Sequence, residues 1–427
     1  KNSNKKKKEN CYYSRYENLT NYKNIILNGC FSFAPINKKR ENCYLTELQL
    51  NKKLIKDFFK IKKNISKLPV ENHILHNYIS YTEIFNIYFK ILLIFFKAIK
   101  ISGRKNYFML GSNNCLDILK PRLLDSFCGN IQNALIISES VQNFLRKNQY
   151  KKFITNGEFY PNFRAIYFFI KTLENSPKII MVNHADYHKD NLFLQLNKKD
   201  FDNKTKPYLQ SPKPDIFFSQ GSEYAKYLNN FFPRNKIFTV GSFKFDLAKQ
   251  KSQRKIIRNK IKKLNNGLVK KIIVVLTSLK DEDYIVNFLN KCNLSNYQIV
   301  LCPHPAFKNF TNQYFIKNFN YNYTILKNYS SREVIDAADL IISGYASLAY
   351  EGFFRRLNVV RVSDYHRPNW TDEKDHIPVL KNPANLNQYL FKKKKIPNSF
   401  IKKTEKKYFY KFDQKTYRRF CNIINRL

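Results

Sequence analysis

Short apolar runs that stop at a small or polar turn, each followed by a helical pattern, recur along most of this chain. A first series is predicted at Asn24–Leu27, Tyr107–Leu110, Ala134–Ile137, Lys152–Thr155, Lys178–Val182, Asp215–Phe218 and Ile237–Val240. Helices are expected near Cys115 and over Val141–Lys147, Arg164–Leu173 and Glu223–Asn230. A second series follows at Lys271–Leu276, Ile299–Leu301, Tyr323–Leu326, Leu340–Ile342 and Val359–Val362, with helices at Glu282–Cys292 and Ala346–Arg356. Ser330-x-x-Glu333 has the spacing of a capping box for a helix through Ala338. Strands alternating with helices in two series imply an α/β chain: two Rossmann-like parallel-sheet domains facing a cleft.

The domain boundaries follow from the same pattern. Residues 1–20, with Lys5–Lys8 in a row, read as a basic solvated tail. Residues 21–248 form the first domain, including a basic helical region over Leu45–Lys63, and the basic stretch Lys249–Lys270 leads into the second, 249–365. Asp190–Pro212 is polar and reads as a loop. Residues 366–427 lose the alternation and read as a helical extension, with helices at Leu386–Lys392 and Lys415–Leu427, packing back on the domains. Between Val70 and Ile101 lies the most apolar segment, IFNIYFKILLIFFKAIKI. Lys90 and Lys97 interrupt it, so it falls short of the ~20 clean apolar residues of a membrane span. A buried helix is the first expectation; an interfacial amphipathic helix is the second.

Candidate chemistry sits where the runs end. Ile299-Val300-Leu301 runs into Cys302-Pro303-His304-Pro305, whose prolines cannot continue a ladder and hold His304 at a strand's carboxyl end. Leu340–Ile342 is broken by Ser343-Gly344 and leads through Tyr345-Ala346-Ser347 into a helix. Strand, tight turn and helix start together suit a phosphate. Ser347 and Glu351 lie four apart on one helix face, so the serine is expected to contact a phosphate and the glutamate a ribose or sugar hydroxyl. Taken singly, Ser347 is a helix cap and Glu351 a surface acid. Glu158 and His184 follow successive strands of the first domain and are the candidate acceptor bases, ahead of Asp186 and His188. No Asp-x-Asp pair stands at a strand end, no metal site is expected, and no cofactor is called for beyond a nucleotide-activated donor.

The eight cysteines form no C-x-x-C pair and no metal-like spacing, and a chain this large has no need of disulfide staples, so reduced thiols in a cytosolic setting are expected. Net charge is +44, from 76 Lys plus Arg against 32 Asp plus Glu, which favours anionic partners. The lysines are spread throughout, in a composition rich in Asn, Ile, Tyr and Phe, so an AT-rich coding bias accounts for much of the excess. The chain begins at Lys1 rather than at Met, which leaves an upstream segment open.

The order of motifs resembles bacterial glycosyltransferases of the GT-B fold that build surface polysaccharides: the CDP-glycerol glycerophosphotransferase-like, capsule-polysaccharide and sialyltransferase-like groups. Pro303-His304-Pro305 and Ser343–Ser347 stand where those groups hold the donor's nucleotide phosphate. Val240-Gly241-Ser242-Phe243-Lys244-Phe245-Asp246 resembles their Gly-x-x-x-x-Asp signature, and Asn183-His184-Ala185 sits where many have Gln-His-Gly. Ala185 and Ala346 depart from the pattern, and the sialyltransferase acidic motif is missing. The resemblance implies transfer of a sugar or glycerol-phosphate unit from a CMP-, CDP- or UDP-linked donor; with no Asp-x-Asp motif at a strand end, that transfer is expected to be metal-independent. The implied partners are that donor and a saccharide or lipid-linked acceptor, with no specific nucleic acid; the basic surface and the Ile84–Ile101 segment add an anionic membrane surface to the expected partners. The implied location is cytoplasmic, peripheral on the inner face of the plasma membrane. The alternatives are a UDP-sugar epimerase of the same fold and a basic nucleic-acid-binding protein.

Overall fold

Strands covered on both faces account for the unbroken apolar runs. Along Lys271–Leu276, Ile272, Val274 and Leu276 enter one core while Ile273 and Val275 enter another. With no solvent face to require polar residues, alternation disappears and the strand reads as one apolar block.

The computed structural model describes residues 8–14, 42–46, 71–102, 109–110, 113–115, 117, 120–121, 126–127, 130–156, 159, 161–183, 198, 201, 210–243, 254–264, 271–278, 281–304, 308–326, 329–344, 346–362, 377–391 and 397–427. The chain divides into two compact units. One comprises Lys1–His184, Leu192–Ser219 and Tyr224–Phe243; the other comprises Ala185–Asn191, Gln220–Glu223 and Lys244–Leu427.

The first unit carries β1 (Lys8–Ser14), β2 (Asn42–Thr46), β3 (Glu71–Ile74), the antiparallel pair β4 (Met109–Leu110) and β5 (Asn113–Asn114), β6 (Tyr150–Thr155), β7 (Lys178–Val182), β8 (Ile216–Ser219) and β9 (Ile237–Thr239). Its main sheet is parallel, in the order β3-β2-β1-β6-β7-β8-β9. Helices α1 (Tyr81–Ser102), α2 (Asn130–Lys147), α3 (Pro161–Lys171) and α4 (Ser222–Asn229) accompany it. Gly241 follows β9 with φ 106°, a left-handed conformation that favours glycine at this position of the Gly-x-x-x-x-Asp stretch.

Three expectations are corrected here. Lys8–Ser14 is a strand paired with both β2 and β6, not part of a solvated tail. It escapes a hydrophobic-run criterion because KENCYYS has almost no apolar block; backbone pairing on both sides holds it. Ala134–Ile137 is helical, inside α2. A four-residue apolar run cannot be told from a turn of buried helix by periodicity. Leu45 and Thr46 belong to β2, so no helix begins at Leu45. The predicted Asn24–Leu27 strand and the rest of the 45–63 helix lie outside the described residues.

The second unit's sheet, β10 (Lys271–Leu276), β11 (Tyr297–Cys302), β12 (Tyr323–Thr324), β13 (Leu340–Ser343), β14 (Val359–Val362) and β15 (Val379–Leu380), is parallel in the order β12-β11-β10-β13-β14-β15. This is the doubly wound arrangement, with its reversal of strand order between β10 and β13. One face is covered by α5 (Arg254–Leu264), α8 (Ser331–Val334) and α9 (Leu348–Phe354), joined by Phe409 and Phe412. The other is covered by α6 (Glu282–Asn290) and by Phe315 of α7 (Lys308–Asn318). The chain ends in α10 (Leu386–Phe391), α11 (Asn398–Tyr408) and α12 (Thr416–Ile424).

The basic 249–270 stretch is more than a connector. Within it α5 buries Ile257 and Ile261 while Arg254 and Arg258 bind the Asp339 carboxylate at 2.9–3.0 Å. The C-terminal extension likewise supplies a sixth strand and core aromatics to this unit.

Candidate nucleotide-phosphate site

Register alone brings four of the second unit's loops to one edge. Leu276 of β10 pairs with Cys302 on one side and Ser343 on the other, and Ser343 pairs with Arg361. Thr277, His304, Gly344 and Arg361 therefore gather at the carboxyl ends of adjacent parallel strands spaced ~4.8 Å apart. In an open α/β sheet, the crevice outside the reversal point is where ligands bind.

His304 is half-buried, and its backbone N–H donates to Thr277 Oγ1 at 3.4 Å. Ser343 is fully buried, and its hydroxyl has no hydrogen-bond partner among the described residues. Gly344 is closely packed: a Cβ there would meet the Tyr284 hydroxyl and Asp281 Oδ2, so those side chains would have to move to admit a larger residue. Asp281 is buried and accepts the Ser278 N–H at 2.7 Å. Ser347 is half-buried at the start of α9 and makes no side-chain capping bond. The helix spans Leu348–Phe354, shorter at both ends than the sequence pattern predicts.

Arg361 is the residue that sequence reasoning missed. It lies in the otherwise apolar β14, is 3% exposed, and shares a sheet face with Ser343. One guanidinium nitrogen donates to the Gly344 carbonyl at 3.4 Å, and the group lies over the Tyr350 ring, 5.1 Å from its centroid. Nε has no hydrogen-bond partner among the described residues, and no carboxylate among them pairs with the charge. A lone arginine inside the apolar Val359–Val362 run was the available signal. A buried cation without a counter-ion among the described residues is costly to maintain.

Glu351 differs from expectation. It is 0% exposed, with Oε2 accepting Arg332 Nε at 2.8 Å and Oε1 accepting from Arg355. Arg355 also binds Asp336 at 2.7 Å. Sharing a helix face with Ser347 does not give Glu351 the same surroundings, because it lies one turn inward, where two arginines engage both oxygens. Glu351 is thus a structural hub rather than a free hydroxyl acceptor. Tyr345, Glu158 and His184 lie outside the described residues, as do Asp186 and His188. Asn156 and Asn183, immediately after β6 and β7, are buried.

Asp281-Glu282-Asp283 has the Asp-x-Asp spacing, but it opens a helix instead of ending a strand, and Glu282 Oε1 is taken by the Thr311 hydroxyl at 2.5 Å. Among the described residues no group of three or more His, Cys, Asp or Glu is placed to hold a metal ion.

No family model and no curated protein sequence matches the chain. Solved structures do. A UDP-N-acetylglucosamine 2-epimerase from Rickettsia bellii is 12% identical over 98% of this chain and 97% of that one, with a TM-score of 0.52. Anabaena Alr3699/HepE in complex with UDP is 9% identical over 98% and 100%, with a TM-score of 0.50. The wall teichoic acid polymerase TagF is 12% identical over 98% and 88%, with a TM-score of 0.48. At these identities the likeness concerns architecture: the chain has the α/β fold of two parallel-sheet units found in GT-B-like proteins.

Proposed function

We propose that the chain is a GT-B-type transferase that moves a sugar or polyol-phosphate unit from a nucleotide-linked donor to a saccharide or lipid-linked acceptor of the cell envelope. The observation that carries this reading is Arg361: a buried guanidinium without a carboxylate partner among the described residues, beside Ser343 and Gly344 at the reversal point of a doubly wound sheet. An anionic diphosphate there would receive the guanidinium charge, the Ser343 and Ser347 hydroxyls, and His304 from the far side of β10. Tyr345, next to Gly344 in the sequence, is proposed to join the same site, and Glu351 positions α9 through Arg332 and Arg355. With donor phosphate charge met by Arg361 and His304, the transfer is proposed to proceed without a metal ion. Glu158 and His184 remain the proposed acceptor bases.

The test is a thermal-shift and calorimetric panel of CMP, CDP, UDP and GDP on the full chain. One nucleotide is expected to stabilise the protein. His304→Ala and Ser347→Ala should each weaken binding about ten- to a hundredfold, the size of one charge-assisted hydrogen bond. Arg361→Lys, which retains charge but loses the planar fork, should weaken it too. Transfer in excess EDTA is expected to continue. Absence of binding by all four nucleotides, or binding unaffected by all three substitutions, refutes the reading. Interconversion of a UDP-sugar without an acceptor would assign the chain to epimerases instead.

A further inference from the structure

Helix α1 has one face in the protein and one face bare. Ile87, Ile91 and Ala98 are buried and pack with Phe127 and with the α2 residues Ile131 and Leu135. Glu83 ties the helix start in place, accepting the Ser80 N–H at 2.7 Å and the Asn143 side-chain amide at 2.8 Å. The other side is apolar and exposed: Phe85 is 70% exposed, Tyr88 51%, Phe89 55%, Leu92 49% and Phe96 59%. Their three- and four-residue spacing puts them on one stripe. Of the thirteen exposed large hydrophobics among the described residues, nine belong to α1 and four to all other elements together. This corrects the buried-helix expectation, and a contiguous exposed apolar stripe of this kind marks an interaction surface.

We infer that this face of α1 lies in the interfacial zone of an anionic lipid membrane, parallel to its surface. Lys90, Lys97 and Lys100 are exposed along one flank of the stripe, and after Glu83 the helix has no acidic residue. Lysines on that flank reach anionic headgroups while the aromatic and aliphatic side chains enter the acyl boundary. The helix is about 33 Å long at 1.5 Å per residue, yet no helix among the described residues is long and apolar enough to cross a membrane. It is suited to lie on a bilayer, not to span it. Charge decides against a second copy as the occupant. Two chains of net charge +44 repel one another, whereas an anionic surface attracts each of them.

The experiment is co-sedimentation of the full chain with phosphatidylcholine vesicles, with and without phosphatidylglycerol, beside light scattering for oligomeric state. The chain should partition into the anionic vesicles. Phe85→Ser/Leu92→Ser/Phe96→Ser should reduce that partitioning at least tenfold with an unchanged melting temperature, since all three side chains are largely exposed in the folded protein. Lys90→Glu/Lys97→Glu should remove the preference for anionic over neutral vesicles. Undiminished sedimentation of the triple serine variant overturns the inference, as does failure of the parent chain to bind. A parent dimer that the triple variant converts to monomer also overturns it, by identifying a second copy as the partner.

Discussion

Glu351→Gln separates a structural glutamate from a ligand-binding one. The substitution keeps the volume and removes the charge from a side chain with no exposure and two arginine partners. Each charge-assisted hydrogen bond is worth about 1.5–3 kcal/mol, so the two together set an upper range of roughly 3–6 kcal/mol. Two features reduce the loss. Arg355 retains Asp336 at 2.7 Å, and the Arg332 side chain is 23% exposed, so water screens part of the charge left behind. About 3 kcal/mol of destabilisation is expected, within the range for breaking a buried pair. For a unit of this size each 1 kcal/mol lowers Tm by about 2–4 °C, giving a fall of about 6–12 °C. Differential scanning fluorimetry without nucleotide measures it directly. A Tm within about 2 °C of the parent, together with lost nucleotide affinity, would refute the structural assignment and return Glu351 to the ligand.

Two further outcomes follow from titrating groups. Burial works against ionised Asp339, but the hydrogen bond from Arg258, the Ile272 N–H and the charges of Arg258 and Arg254 outweigh it and hold the carboxyl below its usual value. A depressed carboxylate contributes stability above its unfolded pKa, and that contribution is lost as pH falls through the folded value. Asp339→Asn should therefore lower the urea midpoint at pH 7, with the gap to the parent narrowing below about pH 4. Burial pushes the Cys302 thiol up to about 12 and the Cys292 thiol up to about 11. Peptide mapping after maleimide treatment at pH 8 should find both unlabelled in the native protein and labelled in guanidinium; native labelling would show that the two cores open readily.

Much of the second unit was legible in the chain. β10 and β14 were read with the ends they have, because a strand buried on both faces announces itself as an apolar block ending at a turn. The Ser330–Glu333 capping box was read from spacing and is present, since capping is local to one helical turn. Local backbone conformation also set the turn at Gly241, whereas the close packing at Gly344 comes from Asp281 and Tyr284 at the start of α6. What depended on distant partners was not legible. Residues 8–14 become a strand because β2 and β6 pair with them, and nothing in KENCYYS records those neighbours. Arg361 meets Ser343 only through the β13–β14 register, with eighteen positions separating them in the chain. Glu351 looks like any amphipathic-helix acid until Arg332 arrives from another helix to claim it. The apolarity of α1 was plain from composition, but which of its faces found a partner was decided by α2. Periodicity describes one element at a time, while pairing, counter-ions and exposure belong to two elements or more, and only the tertiary structure brings those together.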